Sequence, residues 1–404
     1  MRSGDEQDVS TATRTRRRGL VAGGAALALA AWSACAAPAG DPRLRSEAPL
    51  QVEPAPSPTP LSLPPVRLPE DEAPHDVLAE WWYYTGHLYA TGGDEYGFEL
   101  VFFRGVRGSR PPGYAAHFAI TDTARRRFQY DQRQDVALNE LARPEPARSP
   151  VAGGGERPPG IISLSPPDGG FDLAMGGWRM RGRDGRDFVS AAMAGYRLEL
   201  ELAATRPPAL HLGEPPWQPG LISFGPAGYS YYYSRTRMVA RGVLEVDGMP
   251  VSVEGIAWTD HQWGDFLVLG EGGWDWFAAN LADGRDLTIS LIRDASGATI
   301  VAYGTLVEAS GEARHLGMGS FTVEALGEWV SPRTGIHYPS GWRVRVPAAD
   351  LDLRWTPLLL DQELDARTSS GVIYWEGAVA LHYTGSGADA GRGYVELTGY
   401  GTPR

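Results

Sequence analysis

The sequence has 404 residues and a formal net charge of −12 at pH 7, so it is long enough for two domains and too acidic to favour nucleic acid as a partner. All 37 positions that are lysine or arginine are arginine, which excludes lysine Schiff-base chemistry. The one cysteine is Cys35, so no disulfide is expected within the chain. With 51 glycines, 32 prolines and 10% aromatic residues, the composition favours short strands and turns, and we predict an all-β fold.

The N-terminal segment predicts export and a lipid anchor. Residues 14–35 combine a run of arginines with a short Ala- and Gly-rich stretch, which resembles a twin-arginine export signal. The apolar part is shorter than the roughly 20 residues that cross a bilayer, so we predict no membrane span. Ser33-Ala34-Cys35 is similar to the end of a bacterial lipobox, which predicts lipidation of Cys35 as the only membrane contact. Residues 36–75 contain 11 prolines and are predicted to form a disordered, extended tether.

The first folded segment, EWWYYTGHL at 80–88, predicts a strand that is covered on both sides. Strand alternation places Trp81 and Tyr83 on one face and Trp82 and Tyr84 on the other. Because both faces are aromatic, we expect one to line a barrel interior and the other to meet a neighbouring domain.

A weak internal repeat predicts two homologous β-domains. WWYYTGHL at 81–88 aligns with WDWFAANL at 274–281, and similar strand patterns follow both segments. We place an N-terminal domain at 76–264 and a C-terminal domain at 265–402. Val246-Asp247-Gly248 predicts a tight hairpin near the end of the first domain.

The richest set of reactive side chains joins the two repeats, in WTDHQWGDFLVLGEGGWDWF at 258–277. If this stretch is extended, His261 and Trp263 share one face and Asp260 and Gln262 share the other. Either pair is a candidate for lining a ligand cavity. The alternative is a tight interdomain turn in which Asp260 satisfies backbone donors.

Asp275 stands where the first repeat has Trp82, and it lies between Trp274 and Trp276. A carboxyl in such a strand is costly unless it has a function or a partner. We therefore consider two interpretations of Asp275, a functional acid and a buried ion pair with an arginine.

Three other features complete the set of candidates. Arg235 in an aromatic strand needs an acid partner or an anionic ligand if it is buried, whereas an edge strand would leave it in solvent. Asp260, His261 and Asp265 are a weak signal for a metal, and we predict none. Glu376 follows two aromatic residues in a predicted strand. No nucleophile elbow, zinc-protease or phosphate-loop motif occurs, so general acid–base chemistry is favoured.

Seven motifs follow one another along about 76–402: EWWYYTGHL, YYYSRTRM, AWTDHQWG, GWDWF, YPSGW, YWEGAV and GYVELTGY. Together they resemble the signatures of the carotenoid 1,2-hydratase (hydroxyneurosporene synthase) family and its AttH-like, secreted, lipocalin-like relatives. The resemblance implies two tandem lipocalin-like (calycin) antiparallel β-barrels packed side by side. It also matches His261, Trp263 and Asp275 to the family's active-site region.

On this basis the expected ligand is a hydrophobic polyene, terpenoid or lipid bound at the junction of the two domains, with no cofactor. We favour a hydratase-like enzyme; the alternatives are a carrier that serves an ABC-type export system and a secreted hydrolase. The predicted acid is Asp275 and the predicted base is His261, or the reverse, with His261 oriented by Asp260 or Glu80. The predicted ligand contacts are Trp82, Tyr84, Tyr232, Arg235, Trp258, Trp263, Trp274, Trp276 and Glu376.

Overall fold

The computed structural model describes residues 63–106, 112–136, 162–164, 169–212, 218–224, 228–266 and 272–401. The predicted export signal and Cys35 lie outside the described residues. Within these ranges the chain forms 25 β-strands and two short 3-10 turns, Glu70–Glu72 and Pro347–Ala349, so the all-β prediction is confirmed. None of the helical segments described has the length and apolar character needed to span a bilayer.

The first sheet contains the N-terminal strands and closes almost completely around one core. Its order is β4-β3-β2-β1-β13-β12-β9-β8-β7-β6-β5, with β10 and β11 added to β12. The strands are β1 Ala79–Ala90, β2 Glu95–Gly105, β3 Gly113–Asp122, β4 Arg127–Val136, β5 Ile162–Leu164, β6 Phe171–Met175, β7 Trp178–Arg183, β8 Arg186–Met193, β9 Tyr196–Ala204, β10 Ala209–Leu210, β11 Leu221–Ser223, β12 Tyr229–Val246 and β13 Met249–Gly264. Residues from strands along the length of this sheet meet in a single apolar cluster, so the sheet forms a barrel filled by its own side chains.

The second sheet surrounds a core of its own. Its order is β17-β16-β15-β14-β25-β24-β22-β21-β18, with β23 added to β24, and β19 and β20 form a separate hairpin. The strands are β14 Gly273–Leu281, β15 Asp286–Arg293, β16 Thr299–Val307, β17 Ala313–Leu316, β18 Thr322–Ala325, β19 Glu328–Val330, β20 His337–Pro339, β21 Trp342–Val346, β22 Leu351–Pro357, β23 Glu363–Ala366, β24 Val372–Tyr383 and β25 Asp389–Leu397.

Strand β1 separates the first barrel core from the junction between the sheets. Trp82 and Tyr84 point into the barrel core, whereas Tyr83 packs edge-on against Trp276 of the second sheet, with ring centroids 5.4 Å apart. The prediction that both faces of this strand are covered is confirmed. The physical reason is the two-residue period of the strand, which sends neighbouring aromatic side chains to opposite faces.

The segment before β1 differs from the prediction. Composition predicts a disordered tether over residues 36–75, of which the structure describes 63–75. Leu63, Val66 and Leu68 of this part pack on Tyr231 and Trp263 at one end of the first barrel. Prolines limit the backbone freedom of this segment, and the apolar residues between them supply the contact surface. The N-terminal segment therefore covers one barrel end.

Candidate functional site

The junction between the two sheets is lined by buried aromatic and carboxyl side chains. Trp258 of β13 and Tyr83 of β1 both pack edge-on against Trp276 of β14, at centroid distances of 6.1 and 5.4 Å. The outer face of the first barrel therefore meets the outer face of the second sheet. This is the place where the sequence predicts the ligand site.

Three glutamates enter this junction from different strands. Glu99 of β2 and Glu376 of β24 are each only 1% exposed, and Glu396 of β25, which lies beside Glu376 in the β24–β25 register, is half-buried. Within the described ranges none of the three forms an ion pair with an arginine or a histidine. A concentration of buried carboxyls without a cation is costly, so these side chains are expected to hold protons.

The electrostatics of the glutamates follow from burial and from mutual repulsion. Burial raises the pKa of Glu99 to about 8, and the charge of Glu396 adds to the rise. Burial also raises the pKa of Glu376 well above its usual range, with further increases from the charges of Glu99 and Glu396. The pKa of Glu396 rises to about 7 through burial, although its hydrogen bond from Trp274 opposes the rise. A neutral carboxyl is thus present in the junction near pH 7.

Each deep glutamate is held by a tyrosine from the opposite sheet. The Tyr83 hydroxyl donates to Glu376 Oε1 at 2.7 Å, and the Tyr374 hydroxyl donates to Glu99 Oε1 at 3.1 Å. The Tyr374 oxygen also lies 2.6 Å from His117 Nδ1. The Oε2 atoms of both glutamates have no hydrogen-bond partner among the described residues. Each carboxyl is therefore fixed through one oxygen, and its other oxygen is buried without a hydrogen bond from the described residues.

Asp260 forms a second part of the same junction. It accepts hydrogen bonds from Trp258 Nε1 and Tyr232 Oη, both at 2.6 Å, and from the Ser234 hydroxyl. Burial raises the pKa of Asp260 to about 6 although these donors favour its charged form. Trp276 Nε1 donates to the same Tyr232 oxygen at 3.1 Å. Four predicted site residues, Asp260, Trp258, Tyr232 and Trp276, are thus brought together.

One edge of the junction carries partly exposed apolar side chains. Trp81, Phe103, Trp274 and Leu358 pack against the buried aromatic cluster but remain partly accessible. Trp274 links this edge to the carboxyls because its Nε1 donates to Glu396 Oε2 at 2.9 Å. Trp274 therefore connects a partly exposed aromatic ring to one of the junction carboxyls.

His261 and Glu80 lie on the other face of β13 and β1, at the end of the first barrel. Glu80 Oε1 is 2.9 Å from His261 Nε2 and 2.7 Å from His75 Nδ1. The ring of His261 stacks on Trp82 at 4.7 Å and lies 4.6 Å from Trp263. Glu80 and Asp260 were the two residues predicted to orient His261. Glu80 contacts the His261 ring, whereas Asp260 lies on the opposite face of β13.

Two predicted ligand contacts lie in polar networks inside the first barrel. Arg235 forms an ion pair with Glu72 at 2.5 Å, so the acid partner that burial requires is present. Tyr84 donates to Asp187 Oδ2 at 2.8 Å. Both side chains are satisfied by protein groups and do not face the junction, so the structure does not bring them to the carboxyl cluster.

Asp275 is also separated from the junction. Along β14, the side chain of Trp276 points to the junction, whereas Asp275 lies on the opposite face, which it shares with Phe277 of the second core. Its carboxylate lies 3.1 Å from Arg293 Nη2 and accepts a hydrogen bond from Tyr400 at 3.1 Å. Burial raises the pKa of Asp275 to about 6, although the charge of Arg293 opposes the rise. The structure therefore shows the buried Asp–Arg pair and does not bring Asp275 together with His261.

The sequence-based selection included Glu376 but missed the other two carboxyls of the junction. Glu99 lies in the apolar run FELVFF and Glu396 lies in YVELTG, so each is an acid at a position where a strand between two covered faces favours an apolar residue. That local contrast was the available signal. Tyr83, His117 and Tyr374 gave no comparable signal, because buried tyrosine and histidine are common in aromatic strands.

Comparison with known proteins agrees with this architecture. The family described as AttH-like matches residues 59–400 of the chain. The crystal structure of a Nitrosomonas europaea protein assigned to AttH is 33% identical; the alignment covers 83% of this chain and 97% of that one, with a TM-score of 0.69. Kievitone hydratase from Nectria haematococca is 15% identical over 83% of this chain and 92% of its own, with a TM-score of 0.59, and shares the fold. No curated protein sequence matches significantly.

Proposed function

Since this chain belongs to the AttH-like family, whose lipocalin-like fold it shares with a hydratase, we propose that it is a hydratase that acts on a hydrophobic alkene. The observation that carries the proposal is the pair Glu99 and Glu376. These are buried carboxyls whose pKa values are raised by burial and by neighbouring carboxylates, and among the described residues they have no cation partner and each has one oxygen without a hydrogen bond. Adding water to an unactivated double bond requires such an acid.

The reaction is balanced without a cofactor. The neutral carboxyl of the Glu99–Glu376 pair transfers its proton to one alkene carbon, and the π electrons form the new C–H bond. The other carbon becomes a carbocation, and the oxygen of a water molecule adds to it. The carboxylate that this transfer leaves behind then takes the surplus proton from that oxygen, so both glutamates return to their starting protonation state.

The aromatic side chains of the junction suit the intermediate and the substrate. Tyr83 and Trp276 present ring surfaces near Glu376, and aromatic faces stabilise a cation. The partly exposed edge formed by Trp81, Phe103 and Trp274 favours an extended apolar ligand. We therefore favour a polyene or terpenoid as substrate, as in the carotenoid hydratase-like function that the sequence motifs suggest.

The proposal also includes the cellular location of the protein. The arginine-rich signal and Cys35 support export and lipid anchoring, which would place the junction outside the cytoplasm. An apolar substrate that partitions into the adjacent membrane would then be close to the enzyme.

The test is turnover by glutamine variants. Purified protein is incubated with a panel of acyclic terpenoids and polyenes in ¹⁸O-labelled water, and products that have gained labelled water are detected by mass spectrometry. Glu99→Gln and Glu376→Gln are expected to lower turnover about 100-fold or more, because each removes a proton donor or acceptor. Glu199→Gln, which changes an exposed glutamate of β9, is the matched control.

Two outcomes would contradict the proposal. Full turnover by both junction variants would show that the reacting proton comes from elsewhere, and the roles predicted for Asp275 and His261 would then be tested in the same assay. A hydrophobic ligand that co-purifies and binds equally to all variants, with no product from any alkene, would favour a carrier.

A further inference from the structure

The end of the first barrel carries a constellation that the proposed reaction does not use. His75 lies in the segment before β1, Glu80 lies in β1 and His261 lies in β13. One nitrogen of each imidazole and one carboxylate oxygen lie within 4.8 Å of one another. Glu80 Oε1 contacts both imidazoles, at 2.7 Å from His75 Nδ1 and 2.9 Å from His261 Nε2. We propose that these three residues bind one Zn²⁺ ion that fastens the N-terminal segment to the first barrel.

The donor set fits zinc by its chemistry. Two imidazole nitrogens and one carboxylate oxygen form a three-residue set that zinc accepts, with a water molecule in the fourth position. Magnesium and calcium prefer sets made of oxygen atoms, so two imidazoles disfavour them. The side chain of His75 is 21% exposed, whereas Glu80 and His261 are almost fully buried. The open position is therefore expected on the His75 side, where water can reach it.

The rings are held in place before any ion binds. His75 lies flat on Trp263, with centroids 4.3 Å apart and an interplanar angle of 3°. His261 stacks on Trp82 at 4.7 Å. Because both ring planes are fixed by packing, binding an ion costs little side-chain ordering.

Outer groups support the same arrangement. The far nitrogen of His75, Nε2, lies 3.6 Å from Asp71 Oδ1, and metal-binding histidines commonly direct their second nitrogen toward a carboxylate. Glu80 Oε2 accepts the backbone N–H of His75 at 2.9 Å, which leaves Oε1 between the two imidazoles. The two carboxylates, Glu80 and Asp71, balance the two positive charges of the ion.

The location predicts what the ion does. Residues 63–75 cover the barrel end through apolar contacts with Tyr231 and Trp263. Trp82 Nε1 of β1 donates to the Glu72 carbonyl of the segment at 3.1 Å, and His75 contacts Glu80 of β1 directly. An ion shared by His75 and His261 joins the segment to the sheet. Zinc is therefore expected to stabilise the folded chain without taking part in the chemistry at the junction.

The experiment uses the full chain after removal of metals with a chelator. Isothermal titration with Zn²⁺ is expected to show one ion bound per chain, and Co²⁺ is expected to give an absorption spectrum typical of nitrogen and oxygen ligands. Zinc is expected to raise the melting temperature of the wild type. His75→Ala is expected to abolish both effects, and Asp71→Asn is expected to weaken binding about 10- to 100-fold.

The surface pair of His337 with Glu328, 3.0 Å apart, supplies the matched control. His337→Ala is expected to bind zinc as the wild type does. Circular dichroism in chelator establishes whether His75→Ala is folded, and Glu80→Gln replaces it if it is not. The inference is overturned if the wild type binds no zinc, or if both His75→Ala and Glu80→Gln bind it with unchanged affinity.

Discussion

Replacing Glu396 by glutamine is expected to remove part of the pH dependence of stability. Burial raises the pKa of Glu396 from 4.5 to about 7, so the folded protein keeps a proton that the unfolded chain releases. At about 1.4 kcal/mol for each pH unit, this rise corresponds to about 3 kcal/mol. The side chain keeps some solvent contact, which screens the effect to about 2 kcal/mol.

The sign follows from the direction of the shift. A carboxyl whose pKa is raised on folding does not lower the free energy of unfolding when the pH is below its unfolded pKa. It lowers that free energy progressively as the pH rises from the unfolded pKa to the folded pKa. The free energy of unfolding of the wild type is therefore expected to fall, relative to that of Glu396→Gln, by about 2 kcal/mol between pH 4.5 and about pH 7. Glutamine retains a carbonyl oxygen that can accept the 2.9 Å hydrogen bond from Trp274.

Urea unfolding followed by tryptophan fluorescence measures this difference across the same pH range. Glu199→Gln, at an exposed position of β9, is the control. Its free energy of unfolding is expected to change with pH as that of the wild type does. Parallel curves for the wild type and Glu396→Gln would refute the reasoning, because they would show that Glu396 titrates alike in the folded and unfolded chains.

Two other changes test separate parts of the molecule. Asp275→Asn is expected to lower the free energy of unfolding by about 3–5 kcal/mol, because it leaves Arg293 buried beside a neutral group. Its folded fraction is expected to keep turnover if the junction glutamates are the reacting groups; loss of turnover without loss of stability would instead support the catalytic role predicted from the sequence. Cys35→Ala is expected to move the exported protein from the membrane fraction to the soluble fraction, and equal membrane association of both forms would contradict the lipid anchor.

The sequence alone determined the features that depend on local chemistry. Alternating aromatic residues predicted the strand at 80–88 and its two covered faces, because a strand sends neighbouring side chains to opposite sides. Asp247 and Gly248 predicted the hairpin, and both adopt the positive φ angles, 49° and 84°, that a tight two-residue turn requires. Alternation likewise predicted that Asp260 and His261 point in opposite directions.

Tertiary structure decided which face belongs to which site. Tyr83 and Glu376 are 293 positions apart, and only the packing of one sheet on the other brings them within hydrogen-bond distance. The proline-rich composition around His75 predicts a tether, yet His75 and His261 both contact Glu80 at the end of the barrel. Alternation specifies two faces for each strand but does not specify what each face will contact. That choice depends on the long-range packing of the sheets, so only the fold shows that Glu99 and Glu396 join Glu376 at the junction and that His75 joins Glu80 and His261 at the barrel end.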